Sequence, residues 1–393
     1  MNYILFDPPG TRENLLPLTF TRPVCEIRIG ILNIREKWEK LMNCKTSWIT
    51  KSYLSDKYPA KTGNENIYIN GSILPDGELI REIQDLSDGR ALYSGETLVA
   101  AKLSGKSSGN FDPDGTYEKV QSGKEVRCIE FPWDIFKQNG QAIEADFKLI
   151  TAGRKSAKLS PTNQVLGTGD IFLEKGSNVE CASLNTNGGS IYIGKDAEIM
   201  EGSHVRGPFA LCEKSALKIG AKIYGPTTIG PHCKVGGEVN NSVFFGYSNK
   251  AHDGFLGNSV IGEWCNIGAD SNNSNLKNNY AEVRVWNYGK EKFIPCGLTF
   301  CGLIMGDHSK CGINTMFNTG TVVGVNANIY GSGFPGNFIP SFSWGGPLGF
   351  TTYQLNKAFE VAEKVMSRRD LKLLTTDRNI LSEIFRMTEK YRT

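Results

Sequence analysis

Between Ile193 and Ile329 an apolar residue followed by glycine returns at intervals of six residues or multiples of six. Ile229-Gly230 leads to Val235-Gly236, Ile261-Gly262 to Ile267-Gly268, and Met305-Gly306 through Cys311-Gly312 to Val323-Gly324. Ile193-Gly194, Ile219-Gly220 and Phe245-Gly246 follow the habit more loosely. Six residues are too few for a helix pair and match the hexapeptide repeat of a parallel β-helix. Each hexapeptide builds one side of a three-sided coil. The apolar residue turns into the axis, where stacked coils bury what a single coil would expose, and the small residue lets the chain take the corner.

The repeat occupies only part of the 393 residues, so two or three domains are expected. With 22% charged residues and a net charge of +3, no bulk field favours nucleic acid or a membrane surface, and neither is expected as a partner. The ten cysteines are scattered without a CxxC pair and read as buried thiols of a reducing compartment. MNYILFDPPG lacks a basic leader pattern and no stretch has eighteen consecutive apolar residues. A cytoplasmic protein is the expectation.

Ahead of the repeat the chain reads as mixed α/β. Tyr3-Ile4-Leu5-Phe6 is a short strand closing at a Pro-Pro-Gly turn, Ile67-Tyr68-Ile69 a second closing at Asn70-Gly71, and Glu96 to Leu103 a third. Apolar positions 27, 31, 34, 38 and 41 predict a helix within Val24 to Met42, and Pro132 to Ala152 predicts another. Gly105–Lys124 reads as a mobile loop. After the coils, Gly331–Gly349 reads as an ordered cap, and Tyr353–Arg368 with Asp377–Tyr391 as an amphipathic hairpin sealing the solenoid's open end, with Asp377 as an N-cap. The expected domains are residues 1–160, 161–350 and 351–393.

The histidines are 204, 232, 252 and 308. His252 lies in Lys250-Ala251-His252-Asp253-Gly254-Phe255-Leu256-Gly257, where the hexapeptide rhythm breaks. A break exposes a side chain at a loop or edge, and an accessible imidazole can take a proton from an attacking amine or hydroxyl. The run Asn266-Ile267-Gly268-Ala269-Asp270-Ser271-Asn272-Asn273-Ser274-Asn275 then carries more amide than a turn requires. It suits either an asparagine ladder at coil corners or a polar wall that orients a sugar and an acyl carbonyl.

His252, Phe255, Asn266-Ile267-Gly268-Ala269 and Asn275 together resemble the acetyltransferase half of the bifunctional N-acetylglucosamine-1-phosphate uridyltransferase / glucosamine-1-phosphate N-acetyltransferase family. The resemblance implies a left-handed parallel β-helix, a homotrimer with the site between subunits, and His252 as the general base that deprotonates the sugar amine as it attacks acetyl-CoA. It also implies that Asn275, Phe255 and Ala269 lie at the sugar and acetyl group, and that Gly306-Asp307 through Gly312 to Gly324 line the coenzyme A groove. In the family a basic residue stands twelve positions before the histidine and holds the acceptor phosphate; here that position is Asn240. Lys250 or Lys277 is left to supply the contact. Asp270 replaces a family glycine, Lys277 stands at an acidic site, and Tyr280 to Cys301 interrupts the coils.

The first domain resembles sugar-1-phosphate nucleotidyltransferases through Gly10-Thr11-Arg12 and Leu16-Pro17-Leu18-Thr19-Phe20-Thr21-Arg22-Pro23. A glycine turn after a strand presents backbone N–H groups to a triphosphate, and Arg12 and Arg22 can neutralise developing charge. Gly10, Thr11, Arg12, Thr19 and Arg22 are therefore the expected nucleotide contacts. That family places a Mg²⁺-binding Asp at the end of a central strand, where this chain offers Ser72; Asp76 is the substitute candidate.

The fold expected is thus an α/β nucleotidyltransferase-like domain, a left-handed parallel β-helix and a C-terminal helical hairpin. The implied function is a transferase of UDP-N-acetylglucosamine formation acting on a sugar-1-phosphate and a nucleoside triphosphate. The alternatives are a nucleotidyltransferase alone, its β-helix serving assembly, and a sugar-nucleotide-binding protein without turnover.

Overall fold

The computed structural model describes residues 1–392, apart from the side chain of Lys106. The chain forms two compact units, Met1–Ile27 with Leu32–Phe131, and Arg28–Ile31 with Pro132–Thr393.

The first unit is built on a six-stranded mixed sheet in the order Thr46–Ile49, Asn2–Phe6, Glu65–Asn70, Thr97–Ser104, Arg90–Ser94, Glu118–Gln121. The three strands expected are present. The last strand lies inside the segment expected as a mobile loop, and it pairs in parallel with Arg90–Ser94. Phe111, from the same segment, stacks on Tyr68 with centroids 4.2 Å apart. Side-chain contacts of this kind leave no periodic trace in a Gly- and Ser-rich stretch. The helix expected over 24–42 is confined to Ile34–Met42. Asn33 caps it, its side chain accepting from the Glu36 amide while Glu36 accepts from the Asn33 amide, and Gly30 at φ +73° bars continuation upstream.

The second unit is the expected left-handed parallel β-helix, with faces of six, nine and ten strands; the ten-strand count includes one antiparallel closing strand. Early coils repeat with an eighteen-residue register, as in Glu198↔Ala216 and Ile191↔Phe209. Ile193, Ile229, Val235, Ile261, Ile267, Met305, Cys311 and Val323 fill the axis as predicted. Two of the looser pairs differ: Leu217 points inward while Ile219 is 73% exposed, and Phe244 rather than Phe245 belongs to the axial cluster. The register contracts to fifteen at Lys234↔Asn249 and widens to forty-four at Asn266↔Lys310, where the interrupting segment enters.

That segment forms an antiparallel hairpin, Arg284–Asn287 with Lys292–Pro295. Trp286 stacks on Phe338 at 4.2 Å, Tyr288 meets Phe338 and Tyr391 edge-on, and Glu291 pairs with Lys390. Gly331–Gly349 does not stop the solenoid as the expected cap would. Phe338–Ile339 and Ser343–Gly346 continue two faces, and Gly349–Thr352 folds back as the closing strand.

The helix Pro132–Thr151 packs along the nine-stranded face. Ile143 and Phe147 meet Phe172, Tyr192, Ala210 and Cys212 in a cluster that also holds Ile31. The Gly30 amide donates to Asn139 Oδ1 at 2.8 Å and the Ile31 amide to Asp146 Oδ2 at 2.8 Å. A Cβ on Gly30 would lie 2.5 Å from Asp146 Oδ2 and 2.7 Å from the Ala142 backbone, so only glycine fits this pass. The C-terminal helices are Leu355–Ser367 and Thr375–Met387. The first returns along the flank of the coils, where Arg369 donates to the His232 carbonyl, rather than sealing the end. Asp377 sits three residues into the second and accepts from the Leu374 amide, so it is not the N-cap.

Candidate functional site at a β-helix corner

The corner between the strands Asn249–Lys250 and Phe255–Gly257 carries His252, whose side chain is exposed. Gly254 has φ +113°, and a Cβ there would run into the Ser271 carbonyl, so the corner is held tightly against the next coil. Asn272 Oδ1 accepts from the Phe255 amide at 2.8 Å and Asn273 Oδ1 from the Gly257 amide at 2.9 Å. Asn273 Nδ2 also donates to the Gly257 carbonyl at 3.1 Å. These two asparagines form the ladder that the amide-rich run allowed.

Asn275 is placed differently. Its Nδ2 donates to Asn258 Oδ1 at 2.8 Å, and it and the Phe255 ring both lie 2.6 Å from where a Gly257 Cβ would stand. Asn240 pairs in register with Gly257, so Asn240, Asn258, Asn275 and Phe255 gather on one patch of the six-stranded face. Lys277 is half-buried nearby in sequence, with Nζ on the Glu282 carbonyl at 2.8 Å, and the Ala269 carbonyl accepts from Asn314. An amide donates two hydrogens and accepts at its oxygen, so Asn275 retains capacity for a ligand beyond the bond to Asn258.

Lys250 turns inward, against the expectation that it contacts a phosphate. It is 1% exposed, with Nζ 3.0 Å from the Gly236 carbonyl and 2.9 Å from the His252 carbonyl. Burial pushes its ammonium down to about 8, against the opposing pull of Asp253 and Asp270. Alternation of strand side chains puts this residue on the axial side, which the resemblance alone did not reveal.

In the first unit the expected nucleotide contacts divide. Gly10 is exposed at φ +75°, with nothing within 4 Å of a Cβ, and it opens the short helix Thr11–Asn14. Arg12 is 4% exposed and already engaged, with Nη1 on Asp7 Oδ2 at 3.2 Å and the Arg22 carbonyl at 3.1 Å, and Nη2 on Tyr53 Oη at 2.8 Å. Thr19 is wholly buried and donates to the Arg12 carbonyl at 2.8 Å, and Arg22 is buried too. Arg12, Thr19 and Arg22 therefore build the loop, and the phosphate cradle expected of them does not face solvent. Burial pushes the Asp7 carboxyl up, with Arg12, Thr50 and the Val24 amide pulling the other way.

At the strand end where a Mg²⁺ ligand is expected, the two candidate residues are engaged in other contacts. At the strand end, Ser72 donates to Asn70 Oδ1 at 2.8 Å and offers no carboxylate. Asp76 is the N-cap of the helix Gly77–Gln84, accepting from the Glu78 and Leu79 amides at 3.0 Å, and it pairs with Lys124. Burial works to raise this carboxyl, but the Leu79 amide and Lys124 outweigh it and hold Asp76 below the usual carboxylate range. No group of three metal-ligating side chains occurs among the described residues. Asp76 therefore serves as a helix cap and ion-pair partner in this structure.

Sequence reasoning missed a ladder at another corner. Asp196, Lys214, His232, Tyr247, Trp264, His308, Asn326 and Phe342 each follow an axial residue by three and adopt φ between +53° and +61°. Tyr247 and Trp264 stack at 4.2 Å, with His232 beyond Tyr247 at 4.8 Å and His308 beyond Trp264 at 6.3 Å. The three-residue offset from the apolar repeat was the signal available. It also places two of the four histidines in structural positions.

Residues 3–155 match the family described as sugar nucleotidyl transferase. No curated protein matches the chain. Among solved structures, the polySia-specific acetyltransferase NeuO is 15% identical at a TM-score of 0.25, over 49% of this chain and 87% of that one. A UDP-N-acetylglucosamine acyltransferase from Bacteroides fragilis is 14% identical at a TM-score of 0.26, over 60% and 83%. Perosamine N-acetyltransferase from Caulobacter crescentus is 9% identical at a TM-score of 0.14, over 90% and 96%. Over residues 3–155, then, the chain is similar to sugar nucleotidyl transferases.

Proposed function

We propose that the protein is a transferase of sugar-nucleotide synthesis whose β-helix moves an acetyl group from acetyl-CoA to an amino-sugar-1-phosphate. The observation that carries this reading is the exposed His252 on a tightly held corner, with Phe255 on the strand that follows and Asn275 reaching it from the next coil. In the proposed reaction the sugar nitrogen attacks the thioester carbonyl while the His252 imidazole takes its proton. The carbon–sulfur bond breaks, and the departing thiolate is reprotonated by the imidazolium. Asn275 and Phe255 orient the sugar and the acetyl group, with Asn240, Lys277 and Ala269 at the margin of the acceptor. A homotrimer formed through the flat faces would complete this site from a neighbouring copy. The product would then serve the first unit, whose transfer of a uridylyl group from UTP to the sugar phosphate breaks the α–β phosphoanhydride bond, releases pyrophosphate and gives UDP-N-acetylglucosamine.

A second reading, nucleotidyl transfer alone, is favoured by the match over residues 3–155. Two assays on one preparation separate the readings. Thiol release from acetyl-CoA with glucosamine-1-phosphate supports the first. Pyrophosphate release from a nucleoside triphosphate and a sugar-1-phosphate, with no thiol release under any acceptor tested, would replace it with the second.

A further inference from the structure

A cleft of about 460 Å³ lies within the second unit, between the ten-stranded face and the last turn of the helix Leu355–Ser367 with the residues that follow it. Lys234 and Lys310 project from the coils on one side, and Arg368 and Arg369 from the helix end on the other. No acidic side chain lines it. Tyr247 and Trp264, the tightest pair of the stacked corner ladder, also line it.

The four cations differ in what holds them. Arg369 donates to the His232 carbonyl and Lys310 Nζ to the His308 carbonyl at 2.8 Å, both neutral acceptors. Lys234 and Arg368 are exposed. Burial pushes the Lys310 ammonium down to about 8, with only the Cys265 thiol pulling the other way. Assembling like charges around a shared space costs free energy in the empty protein, and an anion in that space recovers it. The cleft falls in the size range of organic-ligand pockets and is roomier than a single phosphate requires. The faces of the Tyr247 and Trp264 rings are taken by the ladder, so they suit a flat ring through their edges.

We propose that this cleft binds a nucleotide through its diphosphate group, the phosphates lying between Lys234, Lys310, Arg368 and Arg369 and the base against the edges of Tyr247 and Trp264. Its lining holds none of His252, Phe255 and Asn275, although Ala251, the residue before His252, contributes to it, and the assignment does not depend on acetyl transfer being the reaction. A free nucleoside diphosphate and the diphosphate within acetyl-CoA share this chemistry.

Calorimetric titration of the full chain with ADP, UDP and acetyl-CoA tests the assignment, in the wild type and in Lys234→Glu and Arg368→Glu. Both substituted side chains are exposed, and circular dichroism checks that each variant is folded. Should Arg368→Glu disturb the helix end, Lys234→Glu on the opposite wall carries the test alone. At least one nucleotide is expected to bind the wild type and to lose tenfold or more in affinity in each folded variant, and the tightest binder identifies the source of the diphosphate. Absence of nucleotide binding by the wild type would overturn the proposal. So would affinities that charge reversal leaves within a factor of two, since the nucleotide would then be bound elsewhere.

Discussion

The loop from Gly10 to Arg22 and the corner from Lys250 to Asn275 carry the same kind of sequence clue, a short run of polar residues after a strand that resembles an active-site motif. Their side chains have different fates. In the loop, Arg12 is enclosed by Asp7, Tyr53 and a carbonyl oxygen, and Thr19 by the Arg12 carbonyl. At the corner, the backbone is held by Asn272, Asn273 and Lys250 while His252 stays exposed. A motif names residue types, and chemistry requires that the structure leave them unspent. By that criterion His252 at the corner stays available, while Arg12 and Thr19 in the loop are already engaged.

The largest expected effect sets the loop's arginine against its motif role. Arg12→Ala leaves Asp7 buried without its cation and is expected to cost about 3–5 kcal/mol. Urea denaturation checks this, and adding Asp7→Asn, which removes the unpaired charge but keeps an acceptor for the Val24 amide, should recover part of the loss. Unchanged stability with abolished nucleotidyl transfer would return Arg12 to a catalytic role and break the comparison.

At the corner, Lys250 makes a prediction about pH. Below about 8 its amine is charged in folded and unfolded chains alike, and the cost of burying the charge is borne in full. Between that value and the ordinary lysine range, the folded protein has released a proton that the unfolded chain still holds, so stability rises with pH. The gain is on the order of 3 kcal/mol for a shift of this size. Stability curves from pH 7 to 10.5 should show the wild type rising relative to Lys250→Met. Parallel curves would mean that the amine is not confined as described.

Smaller effects sharpen the distinction within each region. Asn275→Ala should lower acetyl transfer roughly tenfold to a hundredfold, the worth of a hydrogen bond or two to the reacting groups. Asn273→Ala should instead lower thermal stability, because its amide is used by the backbone of Gly257. Asp76→Ala should cost about 1 kcal/mol through loss of the helix cap. Nucleotidyl transfer that vanished in this variant without a matching loss of stability would reinstate Asp76 as a metal ligand.

The β-helix was legible because its signal is repetitive: Ile229, Val235, Ile261 and Ile267 announce the axis by spacing alone. Ile219 shows the limit of that spacing, since its apolar-glycine pair turns outward where Leu217 takes the axial place. The helix over 24–42 failed for a local reason. Periodicity continued through Gly30, while the left-handed backbone there and the Asn33 cap impose a later start. The candidate corner was legible in its residue types, and the roles of Lys250, Asn272 and Asn273 were not, because inward and outward directions depend on how coils stack. Arg12 posed the same problem, its partner Tyr53 lying forty-one residues away.

The most direct test is thiol release from acetyl-CoA with glucosamine-1-phosphate as acceptor, measured in parallel for the wild type and His252→Ala. The histidine is exposed, so the variant should fold as the wild type does, and its rate should fall by about 10²–10⁴. A wild type that releases thiol and a His252→Ala variant that keeps the full rate would contradict the assignment of the corner as the acetyl-transfer site.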